Sequence, residues 1–360
     1  MPVRLSIVQI GKGSIGATLV DQVSAQRGAI RDAIGVDLVY AGIAGRSASI
    51  FAADGLDIKR WRDLMKTGGG TEARSLLREA AGLGDPKLLV DATADEGMGA
   101  LYGEALAAGF HVVSCNKKPF AGTLQSWNAI RAAAREAQRF LLNEVTVGAG
   151  LPVIGTLRDL IDSGDRVVSI EGCFSGTLNF LCAALDRGER FSEALRRARD
   201  LGYTEPDPRE DLSGQDVARK ALILAREAGV AVEPEQVRLE PFGDVGGGGD
   251  VAAFLARAAG RDESMARSWK EAAARGRRWR YVARVDGGCG AQLREVPADS
   301  PLGRLAGPEN IFAFTTARYP DQPLVVSGPG AGPMVTAAGA FGDILRVARA
   351  AAMAAPKGRA

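Results

Sequence analysis

With 360 residues, 46% of them hydrophobic and 24% charged, the chain can bury a large core but exceeds one typical domain, so two domains are expected. Its 45 Lys and Arg against 43 Asp and Glu leave a formal charge of +2, too weak a field to draw a nucleic acid or an anionic membrane. The 46 glycines sit inside strongly patterned sequence rather than in repeats, which excludes a disordered or fibrous chain.

Residues 4–10 (RLSIVQI) are a short apolar run that opens into Gly11-Lys12-Gly13-Ser14-Ile15-Gly16. Ile15, Leu19 and Val23 then give a helical stripe through Val23, and Val36 to Ile43 reads as a second strand, which completes a βαβ unit. In that setting the GxGxxG spacing has a mechanism. The first glycine permits the tight turn, the second lets backbone approach a pyrophosphate, and the third lets helix and strand pack closely. The whole loop, Gly11 to Gly16, is therefore a candidate dinucleotide site. Proteins that prefer NAD usually place Asp or Glu at the end of the second strand, on the ribose 2′-hydroxyl. Here the chain reads Gly45-Arg46-Ser47. A guanidinium at Arg46 suits a 2′-phosphate, so NADP is favoured and NAD is the alternative, with Lys59 as a candidate helper.

Strands at Leu88 to Ala92 and His111 to Ser114, separated by a helix from Met98 to Ala108, continue the alternation and imply a parallel sheet. Their ends carry Asp91-Ala92-Thr93 and Asn116-Lys117-Lys118-Pro119, where open α/β sheets bind ligands. His111 begins a strand and reads as structural. As the sole histidine, it also excludes a His-cluster metal site and a Ser-His-Asp triad. After a helix from Trp127 to Ala137 and a strand from Phe140 to Asn143, the small residues and proline of 144–152 mark a specific turn. Beyond it a second, α+β domain with an open sheet is expected. Its pattern runs through a helix to Ile161, a strand at Arg166 to Ser175, a helix at Thr177 to Leu185 and a helix from about Gly214 to Ala228. A glycine loop at 246–249 follows, then strands near Arg278 to Val285, Gln292 to Val296, Ile311 to Tyr319 and Leu324 to Ser327. A last glycine loop, Gly328 to Gly332, opens a long helix from Met334 to Ala352.

Residues 201–220 (LGYTEPDPREDLSGQDVARK) concentrate carboxylates, prolines and one terminal lysine. Asp216 and Lys220 are four apart, so on a helix they project from one face. Two plainer readings compete: Ser213 and Asp216 have capping-box spacing, and an i,i+4 Asp-Lys pair is a common surface salt bridge.

The glycine loop, 116–119 (NKKP), 144–151 (EVTVGAGL), 176–179 (GTLN), 201–220 and 330–339 (GAGPMVTAAG) together resemble homoserine dehydrogenase over essentially the whole chain. The third and fifth stretches are specific in combination. The resemblance implies a Rossmann-type nucleotide domain from 1–145 plus about 330–360, and a substrate-binding and dimerisation domain at 146–329. It implies an NAD(P)-dependent interconversion of L-aspartate 4-semialdehyde and L-homoserine, on the route to threonine and methionine. By the same match Lys220 takes the family's acid/base position and Lys117 that of the lysine between cofactor and substrate, with either able to transfer the proton. Glu205, Asp211 and Asp216 become carboxylates for the substrate, lined by Gly176, Thr177 and Tyr203. Thr93, Lys117, Gly202 and Gly332 become cofactor contacts. An alkali-ion site, Na⁺ or K⁺, carries over to Glu144, Val147, Ala149 and Leu151, mainly through backbone carbonyls. Lys12 and Asp95 stand where smaller or neutral residues are more common in the family, which bears on cofactor affinity and preference.

The chemistry agrees: reducing an aldehyde takes a hydride, stabilisation of the forming alkoxide and a proton, which a partly buried lysine can supply near neutral pH. The alternatives are another amino-acid dehydrogenase of this fold and a non-catalytic NADP-binding sensor. Cys115, Cys173, Cys182 and Cys289 are widely spaced without a CxxC pair and read as reduced packing residues. No apolar run reaches the roughly 18 residues that span a bilayer, and the start enters a strand directly, so a cytoplasmic protein is expected. No long segment follows the last helix, so an appended regulatory domain is not expected, and the resemblance implies a homodimer formed through the sheet of the second domain.

Overall fold

In the computed structural model, which describes residues 2–70, 72–243, 246 and 249–355, the apolar runs of the N-terminal part become six strands. These are β1 (Val3–Ile10), β2 (Val36–Ala44), β3 (Ser49–Phe51), β4 (Lys87–Asp91), β5 (Phe110–Ser114) and β6 (Leu141–Leu142). They form one sheet in the order β3-β2-β1-β4-β5-β6. All neighbours are parallel except β3, which returns antiparallel on β2. Every residue of β4 and β5 is buried, as expected where helices cover both faces of a parallel sheet. β3 gave no pattern because it is three residues long and is reached by a tight turn closed by Gly45 N–H on Ala48 O at 2.8 Å.

The helix after the glycine loop spans Ser14–Ile34, well past Val23, and ends on Gly35 in the left-handed region (φ 71°). The final helix, Pro333–Ala354, packs against it and against the sheet through Ala337, Ala340, Ile344, Val347 and Ala348. Ile344 and Val347 are fully buried, each contributing about 1.5–3 kcal/mol of apolar burial. Met1–Gly150 with Gly332–Ala360 accordingly forms one compact unit, and Leu151–Ala331 forms another.

The second unit carries β7 (Val167–Cys173), β8 (Arg238–Leu239), β9 (Arg277–Val285), β10 (Cys289–Pro297), β11 (Asn310–Thr316) and β12 (Leu324–Gly328). They form an open sheet in the order β12-β11-β7-β9-β10-β8, antiparallel but for β8 beside β10. Two expectations change here. β11 stops at Thr316 rather than Tyr319, because the Thr316 hydroxyl accepts the amides of Arg318 (3.2 Å) and Tyr319 (3.1 Å) and turns the chain out of the ladder. The Ser213/Asp216 capping box does not form. The helix Gln215–Glu227 is capped by Gly214 at φ 73°, and Ser213 Oγ donates back to Glu210 O at 2.6 Å. A side chain at 214 would also meet the Tyr281 hydroxyl at 1.9 Å, so both backbone and packing demand glycine. Helices Phe191–Asp200, Val251–Arg257 and Asp262–Ala274 were not anticipated. Of the expected glycine loop at 246–249, residues 247 and 248 lie outside the described residues.

Among the described residues no helix is long and apolar enough to cross a membrane. The four cysteines are free thiols, three of them buried. His111 is buried at 8% exposure, with its ring 5.3 Å from that of Phe140 and its Nδ1 accepting the Phe140 amide at 3.0 Å. Burial, helped by the Arg139 charge, pushes its pKa down to about 4. The unfolded chain binds this proton near pH 6.5 and the folded one refuses it until about 4. Stability from this group is therefore complete above about pH 6.5 and falls with pH through that window. Relative to His111→Gln, the protein should lose up to about 1.4 kcal/mol per pH unit there. Urea midpoints across pH check this, and a pH-independent difference between the two proteins contradicts it.

Candidate active site

The glycine loop is shaped by contacts that leave no room for side chains at two of its three glycines. Gly11 has φ +103°, and a Cβ on it would lie 2.4 Å from Ala92 O; at Gly16 a Cβ would lie 2.2 Å from Gly11 O. At Gly13 nothing lies within 4 Å of a Cβ position, which leaves open space at the N-terminus of the helix Ser14–Ile34. Unpaired amides and the positive dipole end there suit a pyrophosphate. The loop is also braced from below by a residue that sequence reasoning missed. Gln9 is wholly buried, and its Nε2 donates to Gly11 O (2.9 Å) and Gly16 O (3.0 Å), while its Oε1 accepts the Tyr40 hydroxyl at 3.0 Å. The available signal was a glutamine in a mostly apolar, mostly buried strand.

Lys12 reaches from this loop to the end of β2. Its stem lies over Gly45, where a Cβ would meet Lys12 Cε at 2.6 Å, and Arg46 and Ser47 follow, both exposed. Lys59 lines a cleft with Ser24, Arg27, Gly28 and Arg31.

At the carboxyl ends of β4 and β5 one carboxylate organises both loops. Asp91, fully buried, accepts from the Thr93 amide (2.8 Å), the Tyr102 hydroxyl (2.5 Å) and Asn116 Nδ2 (3.1 Å). Ser114 Oγ joins Tyr102 at 2.7 Å, and Asn116 Nδ2 also reaches Asp95 O at 2.7 Å. Burial raises the Asp91 pKa, opposed by these hydrogen bonds. Thr93 and Lys117 are thus presented from one fixed network. Of the two adjacent lysines, Lys118 pairs outward with Glu96 at 3.0 Å, and Lys117 sits half-buried just before the short helix Lys118–Ala121.

Glu144 is buried beside the final helix. Its amide donates to Asp343 Oδ2 at 3.0 Å, and Arg346 bridges Glu144 Oε2 (3.0 Å) and Asp343 Oδ1 (2.7 Å). Burial pushes the Asp343 carboxyl up to about 6. Val147 lies in the short helix Val145–Gly148, and Ala149 ends it at φ 52°, a left-handed conformation that costs a non-glycine residue energy. The final helix approaches so closely that a Cβ on Gly339 would lie 2.9 Å from Ala149 O. Gly332, at φ 114°, caps that helix. Arg346 is shared between Glu144 and Asp343, so its single charge does not offset both carboxylates, and a cation on the backbone carbonyls of 144–151 is electrostatically compatible with the site. Leu151 opens the second unit and accepts the Val153 amide at 2.9 Å.

In the second unit, Gly176 begins the helix Gly176–Asp186, capped by Ser175 Oγ, and Thr177 Oγ1 donates to Tyr203 O (2.5 Å) and Asp211 Oδ1 (2.9 Å). Asp211 Oδ2 accepts the Glu205 amide at 2.8 Å, so this carboxylate ties the turn 203–205 to the helix start. Burial raises its pKa. Gly202, at φ 72°, lets the turn form, and Tyr203 stacks obliquely on Phe180 at 5.1 Å while its side chain stays exposed, as does Glu205. Lys220 lies on the inward face of the helix Gln215–Glu227, 7% exposed. Its Nζ donates to Phe174 O at 2.7 Å and pairs with Asp216 Oδ2 at 2.9 Å, with the Phe174 ring stacked on Phe312 at 4.4 Å. This is no surface salt bridge, since the ammonium is buried and only the carboxylate is half-exposed. The neighbour is anionic rather than cationic, which offsets the penalty of burying the charge.

Comparison with known proteins assigns these elements to a family. Residues 152–345 match the family model described as homoserine dehydrogenase, and residues 11–144 the model described as homoserine dehydrogenase, NAD binding domain. The chain is 40% identical over 353 residues to the bifunctional aspartokinase/homoserine dehydrogenase 1, chloroplastic, of Arabidopsis thaliana, covering 96% of this chain and 39% of that protein. It therefore spans well under half of that bifunctional relative. It is 38% identical over 366 residues to the homoserine dehydrogenase of Emericella nidulans, covering 96% of this chain and 98% of that one. A hyperthermophilic archaeal homoserine dehydrogenase mutant in complex with NADPH matches with a TM-score of 0.75 at 25% identity, over 99% of this chain and 100% of that one. Two matching domain models and a relative aligned from end to end leave one assignment: the chain belongs to the homoserine dehydrogenase family of NAD(P)-dependent oxidoreductases.

Proposed function

We propose that the chain catalyses the reversible, NADP-dependent reduction of L-aspartate 4-semialdehyde to L-homoserine, with Lys220 as the acid/base. The observation that carries this is the buried Lys220 ammonium, held by Asp216 and Phe174 O on a helix face beside the Thr177–Asp211 network. When bound, the nicotinamide supplies the hydride that reaches the aldehyde carbon. Lys220 Nζ gives a proton to the aldehyde oxygen as its charge develops, and takes it back from the hydroxyl in the reverse direction. Asp216 pairs with the lysine Nζ and aims it. Glu205 and Asp211, with the carbonyls and hydroxyls near Gly176, Thr177 and Tyr203, receive the substrate ammonium. Lys117 is the second proton-transfer candidate, set by the Asp91 network that also presents Thr93. Following NADPH consumption with L-aspartate 4-semialdehyde, against other aldehydes and imines, tests the reaction. Turnover with an unrelated aldehyde or imine and none with the semialdehyde overturns it.

The glycine loop, with Gly202 and Gly332, is proposed to hold the dinucleotide and Arg46 its 2′-phosphate. Arg46→Ala should raise the Michaelis constant for NADPH about tenfold or more and leave that for NADH nearly unchanged. Equal losses with both cofactors contradict the assignment. A Na⁺ or K⁺ ion on the carbonyls of Val147, Ala149 and Leu151, next to Glu144, would brace that turn rather than act as a Lewis acid. A homodimer formed through the second unit completes the reading.

A further inference from the structure

We infer that Asn179 is a positioning residue for the proton transfer: its carboxamide fixes the turn from β7 into the helix Gly176–Asp186, and with it the carbonyl that holds Lys220. This rests on the acid/base reading of Lys220 given above. β7 ends at Cys173, Phe174 and Ser175 make the turn, and the helix begins at Gly176. Phe174 O, in the middle of that turn, accepts the Lys220 ammonium at 2.7 Å. Asn179 lies in the first turn of the helix, 2% exposed, and reaches back across the turn. Its Nδ2 donates to Cys173 O at 3.2 Å and to Glu309 O at 2.8 Å, which uses both hydrogens of the amide. The second bond ties the turn to the entry of β11, the strand paired with β7. Thr177, two residues earlier, points away from Asn179, to Tyr203 O and Asp211 Oδ1.

The geometry explains why this bond matters to the lysine. Peptide units are planar, so holding Cys173 O holds the whole unit that joins Cys173 to Phe174. Only the two dihedrals of Phe174 then separate a fixed plane from the carbonyl that Lys220 uses. Other anchors act on side chains or on the helix: the Phe174 ring stacks on Phe312 at 4.4 Å, and Ser175 Oγ accepts the Leu178 amide at 3.3 Å. Asn179 instead sets a backbone direction. Its other end is costly to the fold, since Oδ1 is buried with no partner among the described residues, whereas an apolar side chain of that shape would bury no acceptor. The carboxamide is therefore accounted for by its two donors, and what they hold is the seat of the ammonium.

The test is a double-variant cycle on L-homoserine turnover with NADP⁺, expressed per nucleotide site counted by NADPH binding, so that misfolded protein does not enter. Asn179→Leu keeps the side-chain volume and loses both donors, and it is measured in the wild type and in Lys220→Met. It should lower turnover roughly tenfold or more in the wild type but by less than about twofold in Lys220→Met, where no ammonium is left to aim. An equal loss in both backgrounds overturns the inference, because a merely structural role would cost the same with or without the lysine. Unchanged turnover in the wild-type background overturns it too. Lys220→Met with turnover near wild type is a different failure, that of the acid/base reading itself, and takes the inference with it. If Asn179→Leu does not fold, Pro308→Gly decides. Pro308 is half-exposed, and glycine there loosens the segment that carries Glu309 O. A loss of roughly twofold or more, confined to the background that keeps Lys220, is expected, and no loss overturns the inference.

Discussion

Lys220→Ala is expected to lower turnover by roughly 10²-fold or more, the range for losing a general acid/base. The reason lies in the placement of the ammonium. It is buried, it has a fixed carbonyl and a fixed carboxylate as partners, and the charge of that carboxylate, Asp216, is felt at Asp211. Truncation to alanine also removes a packed aliphatic stem, so Lys220→Met, which keeps most of that volume, separates chemistry from packing. Both variants should lose turnover alike, whereas a packing role would let Met recover it. Asp216→Ala should act through the lysine. It leaves a buried ammonium with one partner fewer, and the double variant should cost little beyond Lys220→Ala alone. Steady-state turnover, the substrate Michaelis constant and the NADPH dissociation constant check all three, with NADPH binding expected near wild type. If Lys220→Ala keeps more than about a third of wild-type turnover, the acid/base assignment fails, and Lys117 takes its place.

The second large effect belongs to Asp91. Replacing it with Ala orphans three donors at once: the Thr93 amide, the Tyr102 hydroxyl and Asn116 Nδ2. At about 1–3 kcal/mol for each buried group left unpaired, partly relieved by relaxation, the loss should be about 3 kcal/mol or more. In a unit of this size that lowers Tm by roughly 6–12 °C. Turnover should fall as well, since the same carboxylate fixes the two loops that carry Thr93 and Lys117. Asp91→Asn preserves the shape but replaces one acceptor by a donor opposite Asn116, so it should lie between Ala and wild type. Differential scanning and turnover measured well below Tm check both parts. A Tm within about 1 °C of wild type, far inside the expected fall, would show that the network holds nothing.

Much of this was legible from the sequence by local rules. The glycine loop announced itself because a turn, a close backbone approach and a helix start each demand glycine at fixed spacing, and Gly11 and Gly16 do meet backbone oxygens at 2.4 and 2.2 Å. The runs of β1, β4 and β5 showed as continuous apolar stretches because both faces of that sheet are covered, and Asp216 and Lys220 shared a face by helical period alone. Burial of Lys220, against a surface pair of identical spacing, was not in that pattern. It depends on Phe174, 46 residues earlier, turning its carbonyl to the ammonium. The Gln9 brace, the Asp91 network, the Glu144–Asp343–Arg346 group and the stem of Lys12 over Gly45 are likewise contacts between residues distant in the chain. Periodicity and propensity act over a few residues, so they determine which segments become strands, turns and helices. Which buried polar groups meet is decided only when the segments pack, because a buried donor or acceptor must find its partner in space, wherever the chain brings one.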